Sequence, residues 1–202
     1  MSKKIVLIGP LTKILPNIDA DYAGIDAGSL ICYKKNRTMV FAIGDFDSIN
    51  KEEYVDINNS TKCIKLNEHK NETDSEAAVI YATKLGYDEI ILYGVLGGRI
   101  DHEYANLRLL SEYDYNLVIM NETNYITILK EGRYKVDKLY NYLSFFAVDD
   151  ACISLSGVAY PLDKRNIKRK DIYCCSNEIL EEAIIDIHSG EVIMIQCNDG
   201  KG

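Results

Sequence analysis

Two short segments of this chain carry residues whose types and spacing suit chemistry on a charged ligand. The first, Gly94-Val-Leu-Gly-Gly-Arg-Ile-Asp-His102, sets glycines, a guanidinium, a carboxylate and an imidazole directly after the apolar run Glu89-Ile-Ile-Leu-Tyr93. Such a run reads as a buried strand, and loops at the carboxyl ends of strands in open α/β sheets are where ligands bind. The glycines let the backbone approach a ligand closely, and Arg99 is suited to bidentate contact with phosphate oxygens. A plain turn needs the glycines but not Arg99, Asp101 and His102 together.

The second segment, Gly44-Asp-Phe-Asp-Ser48, follows an apolar run at 38–43. In extended chain Asp45 and Asp47 point to one face, about 6.6 Å apart at roughly 3.3 Å rise per residue. Phe46 then turns to the core, and the two carboxylates can converge on a hard cation. On these residues alone, a solvated turn built from Asp and Ser is the alternative. Asp74 stands in the first turn of a helix, where the dipole favours an anion, and Asp26 lies in the small-residue turn Ile25-Asp-Ala-Gly28. Such a set suits Mg²⁺, which takes few protein carboxylates and completes its shell with water and phosphates. Neither Gly-x-x-x-x-Gly-Lys-Ser/Thr nor Gly-x-Gly-x-x-Gly occurs. A nucleotide would therefore be held by metal, Arg99 and loop amides.

The elements that must position these groups divide into two textures. Strand-like runs at 4–8, 38–43, 62–66, 89–93 and 116–120 alternate with helical patterns, which predicts a three-layer α/β domain with a mainly parallel sheet. The clearest helix opens on the capping box Thr73-Asp-Ser-Glu76. It places Ala77, Ile80, Tyr81 and Leu85 on one face and stops at Gly86. A second helix is expected over 101–113, with Tyr104, Leu107 and Leu110 at helical spacing. Beyond about residue 121, short β-rich segments at 125–129, 133–136, 143–148, 151–155, 171–174, 183–187 and 191–196 predict an antiparallel β-sandwich. The expected domains are 1–122 and 123–202.

Composition narrows the partners. A net charge of −8 over 202 residues argues against nucleic acid. The N-terminal apolar run, Ile5-Val-Leu-Ile8, is too short for a signal sequence or a membrane span, so a cytoplasmic location is expected. The six cysteines show no Cys-x-x-Cys spacing and read as small buried hydrophobes. His69 and His188 have no partner motif.

Taken in order, Asp26-Ala-Gly28, Gly44-Asp-Phe-Asp-Ser48, Asn71-Glu-Thr-Asp74 and Gly97-Gly-Arg-Ile-Asp-His102 with Asn106 resemble the thiamine pyrophosphokinase family. Gly157-Val-Ala-Tyr-Pro-Leu162, Cys175-Ser-Asn-Glu178 and Ser189-Gly-Glu-Val-Ile193 are similar to that family's thiamine-binding β domain, so the resemblance spans nearly the whole chain. It implies transfer of a diphosphate from ATP to the hydroxyethyl group of thiamine, giving thiamine diphosphate and AMP. It further implies Mg²⁺ and a homodimer with active sites between the α/β domain of one subunit and the β domain of the other. On that resemblance Asp45, Asp47 and Asp74 hold Mg²⁺ with Asp26 close by, and Asp47 or Asp74 takes the hydroxyl proton. Arg99, Asp101, His102 and Asn106 sit at the ATP site, Arg99 and Asp101 among the catalytic groups, and Ser176 and Asn177 face the thiamine pyrimidine.

The chain departs from the family pattern in Asp-Ala-Gly for Asp-Gly-Gly and in Asn71 where many relatives carry Asp. It also has no tryptophan to stack on the pyrimidine, so a tyrosine or an aliphatic wall must serve. Two rivals share the same residues: a pyrophosphokinase for another alcohol such as a pterin, and a catalytically silent thiamine or nucleotide sensor.

Overall fold

The structure is a computed structural model and describes residues 3–67, 71–112 and 115–199. The chain forms two compact units, 1–121 and 122–202. In the first, β1 (Lys4–Ile8), β2 (Asp21–Ile25), β3 (Phe41–Gly44), β4 (Cys63–Lys65), β5 (Glu89–Tyr93) and β6 (Leu117–Met120) lie in the order β4-β3-β2-β1-β5-β6. Every pairing among them is parallel. Strands buried on both faces read as continuous apolar runs, and β1 and β5 do so. The strand β2 was not expected, because Asp21-Tyr-Ala-Gly-Ile25 is short and rich in small residues.

Four helices cover the sheet: α1 (Ala27–Lys34), α2 (Lys51–Ser60), α3 (Asp74–Lys84) and α4 (Ile100–Glu112). Cys32 of α1 and Ile57 of α2 share a core cluster with Val6, Ile8, Ala42 and Ile91. On α3, Tyr81 meets Phe41 edge-on, ring centroids 4.8 Å apart. Since Phe41 and Ala42 alternate across β3, α3 packs on the opposite face from α1 and α2, which gives the three layers.

The buried face of α3 is rotated from the expected one: Ala78, Val79 and Ala82 are buried while Leu85 is exposed. Small residues let the helix lie close to the sheet, so residue size misdirects a pattern weighted toward large side chains. On α4 the buried residues include Asn106, Leu109 and Leu110, whereas Tyr104 is exposed; Tyr113 lies outside the described residues. The chain order β1-β2-β3-β4 runs one way from β1, and β5-β6 the other. The strand order therefore reverses between β1 and β5, the place where open α/β sheets bind ligands.

The second unit packs two antiparallel sheets. One holds β7 (Asn124–Leu129), β13 (Val192–Cys197) and β9 (Tyr142–Ala147) in that order. The other runs β11-β10-β12-β8, from β8 (Gly132–Val136), β10 (Asp150–Val158), β11 (Leu162–Lys168) and β12 (Ile179–Ser189). Inward residues of both sheets, among them Phe145, Ile153, Leu155, Ile185 and Met194, form a single core. The strand expected at 171–174 is loop, with Ile172 and Tyr173 exposed. In its place β11, mostly charged and exposed, forms an edge strand. Edge strands tolerate charge because one side is unpaired, and that charge hid β11 from hydrophobic patterning.

The cysteines are all free, and their burial differs from expectation: Cys32 is buried, Cys175 is exposed and the others lie between. His188 is exposed and shares a 2.8 Å hydrogen bond with the Ser154 hydroxyl; His69 lies outside the described residues.

Candidate active site

The acidic site is built where β2 and β3 end. β3 stops at Gly44, and Phe46 adopts φ 59°. Its ring is buried and meets Tyr54 of α2 at 5.2 Å. A left-handed φ is costly for a bulky residue, so the turn is held by the aromatic anchor and by the Asp47 amide, which donates to Asp45 Oδ1 at 3.1 Å. This corrects the extended geometry expected for Asp45-Phe46-Asp47. The two carboxylates converge by a tight turn, not by strand alternation.

Asp26 joins them from the end of β2. It precedes α1 with φ 49°, and its amide donates to Ile43 O at 2.8 Å, tying the two strand ends together. The Ser48 hydroxyl donates to Asp26 Oδ2 at 2.9 Å. Asp26 Oδ1 is buried with no hydrogen-bond partner among the described residues. Burial pushes the Asp26 carboxyl above its ordinary range, and the charges of Asp45 and Asp74 push the same way against the Ser48 and Ala27 hydrogen bonds. Carboxylate oxygens of Asp26, Asp45 and Asp47 all lie within 4.8 Å of one another. Three converging hard oxygens, one of them buried and unpaired, are the donor set of a hard divalent cation.

Asp74 is not a member of this trio, but Asp26 feels its charge. It opens α3, whose Thr73 cap accepts from the Glu76 amide at 3.1 Å. The role of Ser48 had no advance signal beyond its place in the Asp-x-Asp-Ser turn.

The second part of the site lies across the strand-order reversal. After β5 the chain turns at Gly94 (φ 72°) and Gly97 (φ 97°) into α4. A Cβ on Gly94 would stand 2.0 Å from Thr12 Oγ1. Thr12, Gly9 and Leu11 bond to Tyr93 O or Gly94 O, so the loop after β1 is fastened to the loop after β5. That β1 loop was not expected to take part.

Arg99 is well exposed, and one edge of its fork is engaged. Nε and Nη2 donate to Asp101 Oδ1 and Oδ2 at 3.1 and 2.6 Å. The Arg99 hydrogen bond, with the His102 amide and the Arg99 charge behind it, lowers the Asp101 carboxyl to about 2. The Nη1 edge takes no part in this pair and remains the side through which a phosphate can be met. His102 is exposed, and its amide donates to Asp101 Oδ1 at 3.0 Å. Asn106 is buried and donates to Val95 O at 3.1 Å, which ties α4 to the loop.

In the second unit, Ser176 is exposed with φ 56°, and its amide donates to Ser144 Oγ at 3.0 Å. The Asn177 side chain is buried. Its Oδ1 accepts from the Tyr160 and Glu178 amides and its Nδ2 donates to Tyr160 O, so it works as a staple between two loops. These residues lead into strand β12 and not into a helix. Beside them opens a pocket of about 90 Å³ lined by Phe145, Leu155, Tyr160, Leu162, Tyr173, Cys174, Cys175 and Asn177.

A parallel sheet carrying an acidic cation-type cluster, followed by a β-sandwich with an aromatic pocket, defines a class of two-domain α/β plus β proteins. Within it, the sequence profile described as thiamin pyrophosphokinase, catalytic domain, matches residues 19–120, and that of the family's vitamin B1 binding domain matches 124–194. The chain belongs to the thiamin pyrophosphokinase family. It is 29% identical over 187 residues to the thiamine pyrophosphokinase of Bacillus subtilis, covering 88% of this chain and 87% of that protein. The crystal structure of the Bacillus subtilis enzyme superposes with a TM-score of 0.87 at 25% identity, covering 98% of this chain and 100% of the other. The thiamin pyrophosphokinase from Geobacillus thermodenitrificans gives 0.83 at 30% identity, over 100% and 99%.

Proposed function

We propose that the protein is a thiamine diphosphokinase, moving a diphosphate from ATP to the hydroxyethyl oxygen of thiamine and releasing AMP. The observation that carries this reading is the three-carboxylate cluster within the segment matched by the family's catalytic-domain profile. Thiamine is assigned to the pocket beside Asn177, in the segment matched by the vitamin B1 binding profile, with Tyr160 as the aromatic wall that replaces the missing tryptophan.

Asp26, Asp45 and Asp47 would hold Mg²⁺, with Asp74 completing the acidic surround. The bound ion would offset triphosphate charge and stabilise charge developing at the α–β bridge. Asp47, the exposed member of the trio, would accept the hydroxyl proton. Arg99 would meet a phosphate oxygen through its Nη1 edge, and Asp101 would hold the guanidinium in register from the other side. The tether from Asn106 to Val95 fixes that loop against α4. The enzyme is assigned a homodimer, with sites shared between subunits. Among the described residues no helix is long and apolar enough to cross a membrane, and a cytoplasmic location is part of the proposal.

The test is AMP release from ATP and Mg²⁺ with and without thiamine. One AMP per thiamine diphosphate, formed only with thiamine, is the expected result. ADP would mean attack at the terminal phosphorus. Thiamine binding without turnover would make the protein a sensor.

A further inference from the structure

Two adjacent thiols, Cys174 and Cys175, both line the pocket beside Asn177. They sit in a loop between β11 and β12 that has no regular structure, so their side chains are not held apart by strand alternation. The loop is anchored on both sides: Phe145 N donates to Cys174 O at 2.8 Å, and Asn177 exchanges backbone hydrogen bonds with Leu143. Cys175 is exposed, and its thiol donates to Ile172 O at 3.2 Å. Cys174 is half-buried, and burial pushes its thiol above the usual range. The pair therefore combines an accessible first thiol with a second one held protonated in an apolar wall.

We propose that Cys174 and Cys175 form a dithiol site for soft trivalent metalloid compounds, of which an organic arsenoxide is the simplest, and that occupancy of this site fills the pocket. In the step, the arsenic–oxygen double bond breaks and two arsenic–sulfur bonds form. The two thiol protons leave with the oxygen as water, arsenic stays trivalent and neither sulfur is oxidised. Two sulfurs on neighbouring residues close a small ring, which a single thiol cannot do. The remaining cysteines supply no such neighbour in sequence.

The probe is phenylarsine oxide, applied to the full chain, followed by a monothiol wash and intact-mass measurement. One retained arsenical per chain, removed by a dithiol, is expected. Cys174→Ser and Cys175→Ser should each lose the retained adduct, whereas Cys152→Ser, away from the pocket lining, should keep it; thermal melting establishes that each variant is folded. Retention in either of the first two variants, or none in the wild type, overturns the proposal. Prior saturation with thiamine should slow adduct formation, an arm that rests on the proposed function. If the adduct forms through both cysteines but thiamine does not slow it, the dithiol site stands and the assignment of thiamine to this pocket fails.

Discussion

At the residue scale, Asp26 and Asp47 separate two roles that look alike in sequence. Asp47→Asn keeps the turn's size but removes an exposed charge from the trio. Turnover is expected to fall by about 100-fold or more, the scale for deleting one group that stabilises developing charge, with the melting temperature little changed; near-normal AMP release would remove Asp47 from the site. Asp26→Asn acts differently. Because the folded state raises the Asp26 carboxyl, it binds that proton more tightly than the unfolded chain does. Its contribution to stability is therefore full below the unfolded value and declines as pH rises toward the folded one, leaving a constant cost above it. Asparagine tolerates positive φ and can still accept from Ser48. The variant, without cation, should melt at a higher temperature than wild type near neutrality. That gap should shrink in acid, and divalent binding should weaken, as melting curves across pH with and without Mg²⁺ would record. Asp101 works in the opposite sense: Arg99 lowers its carboxyl to about 2, so its contribution is present above the unfolded carboxylate value and is lost as pH falls through the folded one. The aspartates themselves were legible from the Asp-x-Asp spacing. The left-handed Phe46, the Ser48 bond and the hydrogen bonds of Asn106 to Val95 and of Asn177 to Tyr160 were not, because each depends on partners distant in sequence.

At the scale of elements, the departure Asp-Ala-Gly proves harmless for a stated reason. Ala27 begins α1 without needing positive φ, whereas a Cβ on the next residue, Gly28, would stand 1.9 Å from Ile8 O. The glycine that matters is the one the chain keeps. Gly28→Ala forces β1 and α1 apart and should destabilise by about 3 kcal/mol or more, as overpacking of a closed backbone contact does. Ala27→Gly should cost about 1 kcal/mol or less. Paired chemical-denaturation curves would decide between these values. Strands β1 and β5 were readable because both faces are buried and their apolar runs are continuous. The strand β2 was lost among small residues, β11 among charges, and the face of α3 because its contacts are made by alanines.

For the whole molecule, a net charge of −8 sets the electrostatic problem that the acidic cluster must solve. A triphosphate approaching such a protein is repelled unless a cation is bound. Chelation of divalent ions should therefore abolish AMP release and leave the fold intact, and added Mg²⁺ should restore activity; unchanged activity in chelator would refute the cation site. The two-unit plan was legible from the change of texture near residue 121, where helical periodicity gives way to short strands. Which residues of the second unit face its pocket was not, since Tyr173 and Cys174 lie in a loop whose sequence reads as a strand.

The Phe46 turn also sets a limit on heat. Its left-handed backbone stores on the order of 1 kcal/mol that the ring packed against Tyr54, with the Asp47 amide, holds in place. Warming loosens such a side-chain lock before the sheet beneath it melts. Asp45 and Asp47 should then part company while the domain is still folded, and the enzyme should lose activity several degrees below the temperature at which it unfolds.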